Sequence, residues 1–237
     1  MGNLFKVISW FIGFCLLVFL IRYPIDKSEG SWNTWSLPLA GKTVVIDPGH
    51  GGADGGAVGS DDTLEKDIAL SVSQQLQNYL QQGGALVYMT READEDLADD
   101  DISSLSKRKS QDIRRRIEMI EQKEADFFIS IHLNAIPSTR WHGAQSFYNP
   151  ASPESERLAK MVQSEIIRNL ENTKRTALPI RNVYLMKHTG APGALVEIGF
   201  LSNVHERELL KTTEYQQKMA ASIYEGVLRY VSEEDSP

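Results

Sequence analysis

The sequence predicts a single α/β domain, a mostly parallel twisted sheet with helices on both faces, preceded by an N-terminal transmembrane or signal-anchor helix. Three observations predict it. Short apolar runs without in/out alternation, such as Thr43-Val44-Val45-Ile46 and Phe127-Phe128-Ile129, belong to strands covered on both faces. Segments with apolar residues every three or four positions alternate with these runs, the order of a sheet with helices on each side. Finally, Leu4 to Ile21 is nearly all apolar, interrupted by Lys6, Ser9 and Gly13 and closed by Arg22.

The N-terminal run of 18 residues reaches about 27 Å at about 1.5 Å per residue, close to the hydrocarbon thickness of a bilayer if Lys6 and Arg22 snorkel. A cleaved signal peptide is the rival, but Arg22-Tyr23-Pro24-Ile25-Asp26-Lys27 lacks the small-residue cleavage pattern, so an uncleaved anchor over 1–22 is expected. Lys6 on one side and Arg22 with Lys27 on the other do not fix its orientation. Cys15 follows Phe14, too large for a lipoprotein cleavage site, and reads as a plain apolar residue. Residues 23–40 hold Pro24, Gly30, Ser31 and Pro38 and read as a linker; Trp32 and Trp35 suit either a membrane interface or the domain surface.

The main domain is expected over 41–232. Lys42–Asp47 is a strand ending in Pro48-Gly49-His50-Gly51-Gly52. Leu64, Ile68, Val72, Leu76 and Leu80 form one face of a helix that Gly83-Gly84 stops. Ala85–Thr90 is a second strand. Residues 92–101 carry seven acids in ten positions and read as a solvated loop. Ser106–Gln122 resumes helical spacing through Ile113, Ile117 and Ile120, and Phe127–His132 is a third buried strand. Gln145–Tyr148 is a short strand, and Ser152-Pro153 opens a helix through Leu158, Val162 and Ile166. Val183–Met186 and Ala194–Phe200 are strand candidates; Tyr215–Tyr230 is a last helix, followed by a tail over 233–237.

Charge and cysteine content limit the function. The 237 residues hold 25 Lys and Arg against 32 Asp and Glu, a net charge of −7. Such a body repels phosphate backbones, so no nucleic-acid partner is expected. One cysteine excludes an intramolecular disulfide and a Cys-based zinc cluster, so a metal site must use histidine and carboxylate. The basic stretch Lys107, Arg108, Lys109 and Arg114–Arg116 lies beside the acidic one and reads as a solvated helix face with local charge pairing.

Two histidines stand where buried strands end, His50 and His132, and ligands of open α/β sheets sit at such ends. Glu65 opens the first helix of the domain after a glycine-rich loop. Glu197 lies inside Ala194-Leu195-Val196-Glu197-Ile198, where an ionised carboxylate is costly unless paired or metal-bound. Each has an ordinary explanation alone: a hydrogen-bonded strand-end histidine, a glutamate favoured by the helix dipole, a glutamate turned outward from an edge strand. Together they are two histidines and two glutamates at one sheet edge. Two His and one Glu complete a catalytic zinc set with a position left for water, and the second glutamate then serves as base. The helical H-E-x-x-H motif is absent.

Several ordered motifs carry a resemblance: Val45-Ile46-Asp47-Pro48-Gly49-His50-Gly51-Gly52, Leu64-Glu65-Lys66-Asp67, Met89-Thr90-Arg91, Ser130-Ile131-His132-Leu133-Asn134-Ala135 and Val196-Glu197-Ile198-Gly199-Phe200-Leu201-Ser202-Asn203. Over about residues 41–231 the chain resembles the zinc-dependent N-acetylmuramoyl-L-alanine amidases of the Amidase_3 family. The apolar N-terminus, Trp35-Ser36-Leu37-Pro38-Leu39, Leu133-Asn134-Ala135-Ile136-Pro137-Ser138, Trp141 and Gly143-Ala144-Gln145-Ser146-Phe147-Tyr148 look like the family's membrane-anchored spore-cortex branch.

The resemblance implies Zn2+ held by His50, Glu65 and His132, with Glu197 catalytic. The implied substrate is peptidoglycan, cut at the amide between N-acetylmuramic acid and L-alanine. Removal of stem peptides from spore cortex would be the first step toward muramic-δ-lactam, with a muramic acid deacetylase in the same pathway. The implied location is the extracytoplasmic side of a membrane, the forespore intermembrane space for a spore enzyme. The short interval from His132 to Gly143 leaves no room for the inserted plug helix of the family's division amidases, so control by expression, location or an accessory or activator protein is expected. Asp47, Arg91 and Asn134 are candidates to orient ligands or substrate, or else a turn cap, a surface cation and a turn residue. The competing functions are a stem-peptide zinc carboxypeptidase and a non-catalytic, membrane-anchored wall-binding protein. His142, His188 and His205 are expected to be surface or structural residues.

Overall fold

In a computed structural model the described residues are 2–22 and 37–234. They fall into two compact units, one within Met1–Ser36 and one within Leu37–Pro237. The first holds helix α1 (Gly2–Arg22), whose described side chains, Phe5 to Phe19 and Cys15 among them, are exposed. Among the described residues no helix is long and apolar enough to cross a membrane, so the expected spanning anchor gains no structural support. The linker expectation, with Trp32 and Trp35, lies mostly outside the described residues.

The second unit is built on six strands in the order β2-β1-β3-β6-β4-β5: β1 (Thr43–Pro48), β2 (Leu86–Met89), β3 (Phe127–Asn134), β4 (Gln145–Tyr148), β5 (Leu178–Pro179) and β6 (Gly193–Phe200). All neighbouring pairs are parallel except β4 with β6. The central strands β1, β3 and β6 are buried along almost their whole length, which is why their sequences are continuously apolar. On one face pack α2 (Glu65–Gln82), α4 (Pro153–Leu170) and α7 (Thr213–Glu234); on the other, α3 (Leu105–Gln122) and α5 (Tyr184–His188). Helix α6 (Val204–Leu210) precedes α7.

Helix α2 shows how the pattern works. Its apolar stripe, Ile68, Val72, Leu76 and Leu80, is buried in the larger core, each residue contributing about 1.5–3 kcal/mol relative to exposure. Gly84 follows with φ 94°, a left-handed conformation that ends the helix without a Cβ clash. The expected Ser152 cap of α4 forms, its hydroxyl accepting the Ser155 N–H.

Two expectations are corrected. Val183–Met186 is not a strand: Tyr184 to His188 forms the short helix α5, and its apolar residues Leu185 and Met186 fill the smaller core. A short apolar run does not by itself separate strand from buried helix. The acidic stretch 92–101 is a largely exposed loop as expected, and ion pairs of Asp94 with Lys66, Asp96 with Arg108 and Asp99 with Arg115 also tie it down. The basic stretch is only partly a solvated face, because Arg116 is 3% exposed and paired with Asp47 and Asp112.

Candidate metal centre and active site

The carboxyl ends of β1, β3 and β6 lie side by side, and they carry the candidate residues to one edge. His50 follows β1, His132 lies near the end of β3, and Glu197 is the register partner of His132 on β6. Glu65 comes from the first residue of α2. One ligand atom each from His50, Glu65 and His132 lies within 4.8 Å of the others. His132 Nδ1 is 2.9 Å from Glu65 Oε1 and His50 Nε2 is 3.2 Å from Glu65 Oε2, with the imidazoles edge to face at 5.1 Å between centroids.

Glycine permits this crowding. A Cβ on Gly49 would stand 2.5 Å from the His132 ring, and one on Gly56, at φ 70°, would stand 2.6 Å from Glu65 Oε2. Glu65 is further fixed by backbone donors: Ala57 N–H to Oε2 at 2.7 Å and Leu133 N–H to Oε1 at 2.8 Å. Burial alone would raise its pKa, but His132 and His50 outweigh that and hold the carboxyl well below the usual range. Burial disfavours charge on both imidazoles too, yet Glu65 outweighs it and raises both pKa values, with help from Asp54 at His50.

His50 Nδ1 contacts Asp54 Oδ2 at 2.8 Å, and Asp54 Oδ1 pairs with Lys109 Nζ at 2.8 Å. A carboxylate on the far ring nitrogen fixes the orientation of a metal-binding imidazole and leaves the other nitrogen to ligate. Asp54 was not singled out from the sequence; its four-residue spacing from His50 across a glycine-rich turn was the available signal.

Under the site lies a buried polar frame. Asp47 accepts from Thr90, Ser130 and Arg116. Arg116 also donates to the carbonyls of Pro48 and His50; Arg91 donates to those of Pro48, Gly49, Lys66 and Ala93. Two guanidiniums therefore clamp the turn in which His50 adopts φ 61°, an uncommon conformation for a residue with a Cβ. Arg91 is thus a buried clamp and not a surface cation, and Asp47 pairs with Arg116 beneath the candidate ligands. Asn134 has a backbone role in the sheet, its carbonyl accepting the Leu201 N–H.

Burial would raise the Asp47 carboxyl, but Arg116 and the Ser130 and Thr90 hydroxyls hold it at about 2. A carboxyl lowered from 3.8 to about 2 contributes stability that is complete above 3.8 and is lost as pH falls toward 2. Denaturant midpoints measured between about pH 5 and about pH 2 are expected to fall over that window, and less steeply in Asp47→Asn.

Glu197 differs from its neighbours. It is half-buried on an inner strand of the sheet, and its buried Oε2 has no hydrogen-bond partner. Burial is the main cause that pushes its pKa up to about 7; the Glu65 charge adds to it and His132 and His50 oppose it. A buried, unpartnered carboxylate oxygen beside a His-Glu-His donor set fits a site with a divalent cation and an open reaction position. A cavity of about 190 Å³ opens beside His50 and His132, lined also by Asp54, Lys109, Ile113, Tyr184 and Leu185 among others. His142 and His205 are exposed, and His188 stacks on Tyr184 at 4.1 Å.

Residues 44–229 match the Amidase_3 family, described as N-acetylmuramoyl-L-alanine amidase. The germination-specific N-acetylmuramoyl-L-alanine amidase of Bacillus subtilis (strain 168) is 52% identical over 232 residues, covering 98% of this chain and 97% of that protein. N-acetylmuramoyl-L-alanine amidase LytC of the same organism is 31% identical over 200 residues, 84% of this chain and 37% of that one. Among solved structures, the CwlD amidase from Clostridioides difficile in complex with the GerS lipoprotein matches with a TM-score of 0.79 and 38% identity, covering 81% of this chain and 98% of that one.

Proposed function

Because the chain belongs to the N-acetylmuramoyl-L-alanine amidase family and is such an amidase, we propose that it works as a zinc enzyme of spore cortex, with His50, Glu65 and His132 holding the metal and Glu197 acting on protons. The observation that carries this reading is the tight His-Glu-His donor set with an unpartnered, buried Glu197 oxygen on the adjoining strand. Two imidazoles and one carboxylate suit zinc, which when bound supplies Lewis-acid polarisation of the amide carbonyl and a lower pKa for water.

The protein residues do the rest. Glu197 Oε2 takes a proton from the attacking water as its oxygen bonds to the lactyl carbonyl carbon. The same oxygen delivers that proton to the alanine nitrogen as the C–N bond breaks, which leaves a lactyl carboxylate and a stem peptide with a free amino terminus. Asp54 keeps the His50 ring turned for ligation, and the arginine clamp keeps its turn in place.

The cortex role is supported by the germination-specific relative. In that role stem removal precedes deacetylation of muramic acid by a second enzyme, and the two together prepare the δ-lactam. The solved relative in complex with a lipoprotein supports an accessory protein here as well. A location on the extracytoplasmic side of a membrane belongs to the same reading; it rests on the apolar run Leu4–Ile21 of the sequence alone, since no described helix is long and apolar enough to span.

Incubating the purified protein with cortex peptidoglycan, with and without a chelator, tests the reading. Stem peptides with free L-alanine N-termini are expected, detected by mass spectrometry, and the chelator is expected to abolish them until zinc is restored. Release of a C-terminal stem residue instead would make the protein a carboxypeptidase.

A further inference from the structure

Glu197 has two register partners, His132 on the metal side and Gln145 on β4. Gln145 Nε2 donates to the Thr176 carbonyl at 3.0 Å, which draws the segment after α4 against the same sheet edge. Strands are spaced about 4.8 Å apart, so this segment runs on the order of 10 Å from Glu197.

Arg175 lies in that segment, half-buried, its guanidinium 5.4 Å from the Trp141 ring centroid and 4.9 Å from that of Phe200. Aromatic contacts of this kind fix the plane of a guanidinium and leave its N–H edge available. Among the described residues that edge makes no hydrogen bond and no ion pair. Glu206 acts on it only at a distance, because the two Glu206 oxygens accept from the Gly143 and Phe200 N–H groups. Arg175 opens onto a cavity of about 410 Å³ with Arg140, Trp141, His142 and Lys174, and no acid lines it. On a chain of net charge −7 this is a local cationic site.

We propose that Arg175, held by Trp141 and Phe200, is a specificity-determining residue that binds a carboxylate of the stem peptide, on the second residue from the scissile amide. The proposal rests on Glu197 marking where that amide lies. Two stem residues reach about 7 Å, and the arginine side chain spans the remainder. The second stem residue is a glutamate linked through its γ-carboxyl, so its α-carboxylate is free unless amidated. A planar guanidinium edge matches that group with two parallel hydrogen bonds.

The test compares muramoyl-L-alanyl-isoglutamate with its isoglutamine counterpart on the metal-loaded full chain. Wild type is expected to favour the free carboxylate by about tenfold in kcat/KM, mostly through KM, and Arg175→Met to bring the ratio close to one. Arg175→Lys, which keeps the charge and loses the fork, is expected to restore part of the preference. Titration calorimetry with the dipeptide L-alanyl-isoglutamate gives a reading that needs no turnover: wild type binds about tenfold more tightly than Arg175→Met. A wild type with no preference, a preference that survives in Arg175→Met, or equal dipeptide binding overturns the proposal. Dipeptide binding that depends on Arg175 in a protein that cleaves neither substrate keeps the proposal and overturns the hydrolytic roles given to Glu197 and the metal site.

Discussion

Glu197→Gln is expected to leave the protein folded and able to bind zinc while lowering kcat by about 10²–10⁴-fold. The exchange is nearly isosteric, and it replaces a carboxylate oxygen that has no hydrogen-bond partner, so little of the surrounding structure depends on it. On the proposed mechanism the site loses the group that accepts the water proton and returns it to the alanine nitrogen. Because Glu197 is not in the His50–Glu65–His132 set, zinc content measured by emission spectroscopy is expected to match wild type. Loss of activity with zinc retained separates a proton-transfer role from a ligand role. Near-normal turnover in Glu197→Gln would move the base elsewhere.

Arg116→Met is expected to give the largest loss of stability of any single exchange near the site. Arg116 is 3% exposed and pairs with Asp47 at 2.8 Å and Asp112 at 2.9 Å. Removing one partner of a buried ion pair leaves the other charge uncompensated, a loss of about 3–5 kcal/mol. The Pro48 and His50 carbonyls lose their donor in the same exchange. Denaturant unfolding measures the loss, and zinc titration is expected to show weaker binding because the His50 turn is no longer clamped. In Asp47→Asn/Arg116→Met one of the two stranded charges is gone and only that of Asp112 remains, so the double variant is expected to recover part of the stability lost in the single one. A single variant as stable as wild type would mean that the clamp has no structural role.

The two expectations differ in how far the residues showed them in advance. Glu197 was legible because a carboxylate inside an apolar strand is costly and so calls for a reason. His50 and His132 were legible because strand ends are where open α/β sheets hold ligands. Arg116 was not legible: in a stretch with Arg114 and Arg115 nothing local marks one of three adjacent arginines as buried. Its partner Asp47 lies 69 positions away, and only the packing of α3 against the sheet joins them. Arg175 was missed for the same reason, whereas Asp54, four positions from His50, was missed because an irregular glycine-rich turn has no period that fixes which side chain meets the ring. The fold was read better than its edges, since long periodic segments hold their type while α5, β5 and α6 are too short to carry a period.

By itself the sequence determined the class of fold, the positions of the main strands and helices, the four candidate site residues His50, Glu65, His132 and Glu197, and the exclusion of a disulfide or a cysteine-based zinc cluster; which glutamate would bind metal came from the family resemblance. These follow from local rules: side-chain periodicity, turn residues and the cost of charge among apolar neighbours. Tertiary structure alone decided which carboxylate turns the His50 ring, which arginine is buried beneath it, and which one stays open between Trp141 and Phe200. The arginine assignments depend on distances between segments far apart in the chain and that of Asp54 on the shape of an irregular turn, and a charged side chain has the same local signature whether it faces water, a buried partner or a ligand.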